Sequence, residues 1–421
     1  MQVFKFGGAS VKDVASLRNV SLVLSQYAKE PTIVVVSAMG KITNKLEALV
    51  NAYFYKEGDV IGVLQEIKDF HTSILDGLFS SKTAAIYDEI ENVFVELLWA
   101  LEDEPSFSYD YHYDQIVSQG EVLSTKIVSA FLKEKDFPNK WLDARDVIQT
   151  DNSYREGRVN YELSQKLTES TLLPLLKQYP LVITQGFIGG TSENFTTTLG
   201  REGSDYTAAL LAYFCNANKV VIWKDVPGVL NADPKYFKNT KKIAELSYHD
   251  AIELTYFGVS VIHPKTIKPI QNKNIPLYVK SFIKPEEPGT LIKDGDKRNT
   301  IPSYIFKTDQ ILLSIQPKDF SFIAEDNLSA IFNLFSKYQV KVNMMQNSAI
   351  SFSVCTDYDK HKVDPLIEEL QGQFKVLYNT GVQLMTIRNY DQDTVTKLSA
   401  DKIVLIEQRS RQTMQMVMKE E

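Results

Sequence analysis

Thr196-Thr197-Thr198-Leu199-Gly200-Arg201-Glu202-Gly203-Ser204-Asp205-Tyr206, running on into Thr207-Ala208-Ala209-Leu210-Leu211-Ala212, reads as a hydroxyl-rich approach, a sharp glycine turn and the opening of a helix. The first turn of a helix leaves backbone N–H groups without an internal partner, and the aligned peptide dipoles add partial positive charge there. Phosphate or carboxylate is the natural guest. Arg201 brings a planar, two-pronged donor for such an anion, and Asp205 sets an opposite charge a short step away. The same residues also describe a plain capped helix, with Ser204 as N-cap and Asp205 on the dipole. The stretch by itself leaves both readings open.

Working outward, Leu181–Gly189 upstream is a buried strand with a glycine exit. Downstream, Lys219–Trp223 is a strand ending in Lys224-Asp225, followed by the turn Pro227-Gly228 and a second turn at Asn231–Lys235. The N-terminus repeats the pattern. Val3-Phe4-Lys5-Phe6 runs into Gly7-Gly8-Ala9-Ser10, and apolar positions at Val14, Leu17, Val20 and Leu24 then recur at helical spacing. Thr32–Val36 is an unbroken β-branched run, the mark of a strand covered on both faces, and it ends in Ser37-Ala38-Met39-Gly40 before a helix starting at Thr43-Asn44. Strands alternating with helices, with small polar residues after each strand, predict an α/β fold with a mainly parallel sheet. Ligands in such sheets bind beyond the carboxyl ends of the strands, so Lys5–Ser10 and Ser37–Asn44 belong to one candidate site.

Residues 60–101 predict two helices with a break near Gly77–Ser81, then an acidic joint at Glu102–Pro105. A helix over 114–133 carries Ser118-Gln119-Gly120-Glu121, where glycine permits a close approach and Glu121 either faces that gap or lies exposed on a surface helix. From Tyr304 the units shorten: strand 310–316, helix 324–337, strands 340–346 and 349–355, and helix 361–370. Strands at 374–379 and 381–388, a helix near 392–399 and strands near 402–408 and 411–418 follow. A βαββαβ order predicts a small antiparallel α+β region with helices on one face.

With 421 residues, 44% hydrophobic and 24% charged, the chain predicts a soluble globular protein of two or three domains. A net charge of -7 without a long basic run argues against nucleic acid as partner. No stretch nears the ~18 apolar residues of a membrane span, no signal segment precedes the first strand, and Cys215 and Cys355 lie far apart. A cytoplasmic protein with two buried free thiols is expected. The histidines at 71, 112, 249, 263 and 361 show no ligand spacing, so no metal site built from protein side chains is expected.

There is no GxxxxGK[ST], no GxGxxG after the first strand, and no HRD or DFG, so a nucleotide enzyme here needs another cradle. The set Lys5-Phe6-Gly7-Gly8-x-Ser10, Val36-Ser37-Ala38-Met39, Ser118-x-Gly120-Glu121, Gln185-Gly186-Phe187-Ile188-Gly189, Thr197-Thr198-Leu199-Gly200-Arg201-x-Gly203-Ser204-Asp205-Tyr206 and Trp223-Lys224-Asp225-Val226-Pro227-Gly228 resembles, in order and spacing over residues 1–292, the aspartate kinases of the amino-acid-kinase superfamily. The resemblance implies an amino-acid-kinase domain over 1–300 and ATP-dependent phosphorylation of the aspartate side chain to 4-phosphoaspartate, the entry to lysine, threonine and methionine biosynthesis.

The residues suit that chemistry. The nucleophile is a carboxylate already ionised at neutral pH, so the enzyme must supply charge neutralisation and alignment rather than a general base. Lys5 is the point charge for the transferring phosphoryl group, Gly7 and Gly8 let the backbone near the phosphates, Arg201 can grip the α-carboxylate, and Glu121 can take the α-ammonium. By the resemblance, Ser37, Thr43 and Ser204 complete the amino-acid pocket and Asp205 orients Lys5. Lys224, Asp225, Leu230, Asp233 and Lys235 hold the nucleotide, and Mg2+ arrives on ATP. Three departures stand out. Glu202 replaces a glycine and must point away from the anions or cost affinity. Leu230 and Lys235 replace a tyrosine and an arginine. Ser260 replaces a lysine.

Residues 304–421 resemble the paired ACT-type regulatory units of these kinases, with Asp319-Phe320-Ser321-Phe322-Ile323-Ala324-Glu325 keeping the Phe-x-Ala-Glu of lysine-sensitive members but not their glycine. The second unit looks truncated. The resemblance implies a homodimer or larger homo-oligomer with lysine or threonine as effector. Units that only hold a dimer together are the plainer alternative. Two other functions stay open on the residues alone: another carboxylate kinase of the superfamily, and a non-catalytic amino-acid sensor.

Overall fold

The computed structural model describes residues 1–259, 261–295, 301–319 and 321–420. Ser260 and Phe320 therefore lie outside the described residues. Two compact units form, one from 1–229, 242–252 and 260–299, the other from 230–241, 253–259 and 300–421.

The first unit is built on an eight-stranded sheet. Its strands are β1 Gln2–Phe6, β2 Thr32–Val36, β3 Asn139–Leu142, β4 Leu181–Gln185, β7 Val220–Lys224, β8 Glu245–Ser247, β9 Leu277–Ser281 and β10 Thr290–Lys293. A separate hairpin pairs β5 Ile188–Gly190 with β6 Thr196–Thr198. The order β3-β4-β2-β1-β7-β9-β10-β8 is parallel from β3 to β9, and β10 runs antiparallel to β9. Every residue of β1, β2 and β4 is buried. Uninterrupted Val/Ile runs are what such double-sided burial demands. The α/β expectation holds.

Three local boundaries differ from the sequence reading. The helix expected over 114–133 is two helices, Tyr109–Val117 and Gln119–Glu134, joined at Ser118. The strand expected over 181–189 stops at Gln185, because Phe187 takes a positive φ of 72° and turns the chain into the hairpin. Thr196–Thr198, read as a loop, is β6. Its Thr198 is fixed by Asp114, whose carboxylate accepts from the Thr198 N–H at 2.8 Å and its hydroxyl at 2.7 Å.

In the second unit, a six-stranded antiparallel sheet in the order β12-β13-β11-β14-β16-β15 carries helices Glu325–Lys337, Lys360–Gln373 and Gln392–Ser399. Its strands are β11 Ser303–Pro317, β12 Val342–Asn347, β13 Phe352–Asp357, β14 Phe374–Arg388, β15 Lys402–Arg409 and β16 Thr413–Glu420. Here β11 begins seven residues earlier than expected, and the two strands expected at 374–379 and 381–388 are one. The pairing of β11 with β14 slips between Lys307 and Leu312, beside Asp309 (φ 54°) and opposite Gly381 (φ 66°). That slip divides each long strand into halves serving two successive α+β units. The first has two helices, Glu325–Lys337 and Lys360–Gln373, and the second has one, Gln392–Ser399.

Candidate active site

The site is assembled at the carboxyl ends of β1, β2, β4 and β7. Glycine makes the close packing there possible: a Cβ on Gly8 would stand 2.8 Å from the Gly40 carbonyl, and one on Gly186 would stand 2.5 Å from the Ser204 Cβ. Neither contact leaves room for a side chain. The loops after β1 and β2 are tied by Ser37 N–H to the Phe6 carbonyl (3.1 Å) and Gly40 N–H to the Gly8 carbonyl (3.0 Å).

Lys5 on β1 is buried, and its Nζ lies 2.7 Å from Asp205 Oδ1. Asp205, in the first turn of helix Gly203–Cys215, is fully buried, and its Oδ2 lies 3.1 Å from Nζ of Lys224, the last residue of β7. Burial alone would push the Asp205 carboxyl up; the ammoniums of Lys5 and Lys224 overcome that and hold it below the usual carboxylate range. Burial likewise opposes charge on Lys224, but Asp205 and Glu202 keep it firmly protonated. Two cations thus share one fully buried anion, and these three groups taken alone leave one positive charge unbalanced.

Glu121 is buried, which removes the exposed-helix alternative. Its Oε1 accepts the Ala38 N–H at 3.2 Å, whereas its buried Oε2 has no hydrogen-bond partner among the described residues. Burial pushes the carboxyl up to about 8, against the pull of the Ala38 N–H and of the Lys5 charge. An unpartnered buried carboxylate oxygen is costly unless a ligand completes it, and a cation is the ligand it would select.

Helix Gly203–Cys215 begins without a side-chain cap; its N-cap residue is Glu202, not Ser204. The capped-helix reading of the opening stretch therefore fails; the Gly203 N–H donates to the Gly200 carbonyl at 3.0 Å, which leaves the Ser204 and Asp205 N–H groups of the first turn for an anion. Ser204 is buried in that turn, while Ser37 and Thr43 are half-buried at the exit of β2 and in the first turn of helix Ile42–Tyr55. Arg201 is exposed. Glu202 turns its carboxylate toward Lys224, with Oε2 3.6 Å from Nζ.

Gly7 and Asp225 follow β1 and β7 directly, Asp225 exposed. Leu230, Asp233 and Lys235 fall in the second unit, where Asp233 Oδ1 accepts the Lys235 N–H at 2.8 Å and so shapes its own turn. Sequence reasoning passed over Asp114. It is fully buried, receives the Arg155 N–H at 2.8 Å as well as its two bonds from Thr198, and burial pushes it up to about 6. The one signal was a carboxylate placed directly after the aromatic run Tyr109–Tyr113.

Residues 1–281 match the model of the amino acid kinase family. The chain belongs to that family, among its aspartokinases. It is 32% identical over 402 residues to lysine-sensitive aspartokinase 3 of Escherichia coli (strain K12), covering 92% of this chain and 87% of that protein. It is also 29% identical to bifunctional aspartokinase/homoserine dehydrogenase 1 of Zea mays, of which it spans 42%. Among solved structures, E. coli aspartokinase III in complex with aspartate and ADP (R-state) matches with a TM-score of 0.84 at 28% identity, covering 99% of this chain and 96% of that one. The complex of that enzyme with lysine and aspartate (T-state) matches with a TM-score of 0.83.

In this aspartokinase both cysteines are free and buried, as expected, and burial pushes each thiol up to about 12. Among the described residues no helix is long and apolar enough to cross a membrane.

Proposed function

We propose that the chain transfers the γ-phosphoryl group of ATP to the side-chain carboxylate of L-aspartate, giving 4-phospho-L-aspartate and ADP. The observation that carries this is the unpartnered Glu121 Oε2, set within electrostatic reach of Lys5. An ammonium socket beside a phosphoryl-directed cation is what an amino-acid kinase needs and a nucleotide or simple acid kinase does not.

In this reading Glu121 takes the α-ammonium and Arg201 the α-carboxylate, with Ser37, Thr43 and Ser204 closing the pocket. The β-carboxylate is then aimed at the phosphorus. Lys5, held by Asp205, offsets the charge that builds on the transferring phosphoryl oxygens. Lys224 and the backbone at Gly7 and Gly8 receive the phosphates, and Asp225, Leu230, Asp233 and Lys235 are proposed for the remainder of the nucleotide. Both Asp205 oxygens face ammoniums, which suits Mg2+ arriving on the phosphates rather than on a protein carboxylate. Bound there, the ion shields phosphate charge.

We assign 1–300 as the catalytic region and 304–421 as a regulatory region of two ACT-type units, active in the cytoplasm as a homo-oligomer. Lysine is the first effector to test. In the loop that carries the Phe-x-Ala-Glu likeness, Phe322 is exposed, Ile323 is buried and Glu325 opens a helix.

The test is a hydroxylamine trap for acyl phosphate, run with ATP and L-aspartate, L-glutamate or N-acetylglutamate. Trapping with aspartate alone is expected. A preference for either glutamate compound, or no trapped product at all, would sink the proposal.

A further inference from the structure

We propose that Glu202 is a placeholder anion on Lys224, occupying the cation that a nucleotide phosphate must claim and so tuning nucleotide affinity. The inference rests on the aspartate kinase reading and concerns a residue peculiar to this chain's version of the motif.

Three observations meet at this position. Glu202 has φ 55° and ψ 28°, a left-handed conformation disfavoured for any residue with a Cβ and suited to glycine. Such a conformation persists only where its surroundings hold it. Its carboxylate lies 3.6 Å from Lys224 Nζ, on a lysine whose other contact is Asp205 Oδ2 at 3.1 Å. The side chains are 32% exposed for Glu202 and 17% for Lys224, so the pair lies between the buried cluster and solvent.

Charge then decides the consequence. Lys5, Asp205 and Lys224 alone leave one positive charge unbalanced, and Glu202 cancels it. A phosphate and the Glu202 carboxylate compete for one ammonium. The nucleotide-free enzyme keeps Lys224 ionised and in place, and binding must displace Glu202 before the phosphate gains the full attraction. A glycine here would remove both the strain and the competitor.

The experiment measures ADP affinity by calorimetry in Glu202→Gln and Glu202→Gly, alongside the Michaelis constants for ATP and aspartate. Gln keeps the left-handed backbone and removes only the charge. Both variants should bind ADP about three- to fivefold more tightly, the scale of a partly exposed ion pair. The constant for ATP should fall in step, and that for aspartate should move less. In a Lys224→Met background, Glu202→Gln should add nothing, since the group it competes for is gone. Unchanged ADP affinity in the Gln variant, a gain confined to Gly, or a gain that survives Lys224→Met would each overturn the assignment. Because ADP binding is read without turnover, failure of aspartate phosphorylation would remove the activity reading and still leave this result decisive.

Discussion

The two sheets of this chain treat charge in opposite ways. In the eight-stranded sheet the central strands β1, β2 and β4 are buried along their whole length, so an ionised side chain survives only at a strand end with a partner, as Lys5 does with Asp205. In the six-stranded sheet β15 has no buried residue, and Lys402, Glu407 and Arg409 flank the run Ile403–Ile406 along it. A lysine in the first setting is expensive and therefore informative. A lysine in the second is ordinary.

The largest expected effect tests that contrast directly. Lys5→Ala should lower kcat by about 10²–10³, the usual loss when a charge aimed at a transition state is removed, while Lys402→Ala on β15 should leave kcat unchanged. Steady-state kinetics on the two variants, with circular dichroism to confirm folding, is the check. Near-normal turnover in Lys5→Ala would take that residue out of the mechanism.

Legibility followed the same division. Thr32–Val36 and Val220–Lys224 were readable because burial on both faces leaves no freedom in residue choice, and the small residues after them marked the site. The helix junction at Ser118 and the hairpin after Gln185 were not, since each depends on a few backbone angles, such as φ 72° at Phe187, that no periodicity records. In the second unit Gly381 reads as the start of a second strand, 381–388, after the one at 374–379. There it marks a slip inside one long strand, because a half-exposed antiparallel ladder absorbs a register shift that a parallel core would not. Motif spacing singled out Lys5, Glu121, Arg201 and Asp205, of which the structure pairs Lys5 with Asp205, buries Glu121 and leaves Arg201 exposed. The orientation of Glu202 and the role of Asp114 depend on through-space neighbours, Lys224 in one case and Thr198 in the other.

Next in size is a proton effect unique to the buried sheet ends. Glu121 titrates near 8 in the folded chain against an ordinary 4.5, so the folded state holds its proton more tightly than the unfolded state. The stability this contributes is complete below about pH 4.5 and is lost as pH rises to about 8. An aspartate ammonium on Oε2 favours the ionised carboxylate, so binding at pH 7 should release about one proton per site. Calorimetry of aspartate binding in buffers of different ionisation enthalpy measures that proton. Glu121→Gln should abolish the release and flatten the fall in Tm between pH 5 and 8. A wild-type enzyme that releases no proton would mean Glu121 is already ionised, and the burial argument would fail.

The smallest effect belongs to the exposed sheet. Ile403 on β15 is 41% exposed at the edge of the ladder, so truncating it removes little buried area from one chain. Ile403→Ala should cost less than about 0.5 kcal/mol, whereas the fully buried Ile222 on β7, cut to alanine, should cost about 2–5 kcal/mol. Denaturant unfolding at two protein concentrations tenfold or more apart distinguishes the outcomes. An open edge with exposed Ile403 and Val404 is also the kind of ladder a second copy could extend. If a partner strand pairs there in solution, the Ile403→Ala loss would exceed 1 kcal/mol and shrink on dilution as the oligomer dissociates, because only the assembled form buries that side chain. The contrast between the sheets would then be a property of the isolated chain and not of the working enzyme.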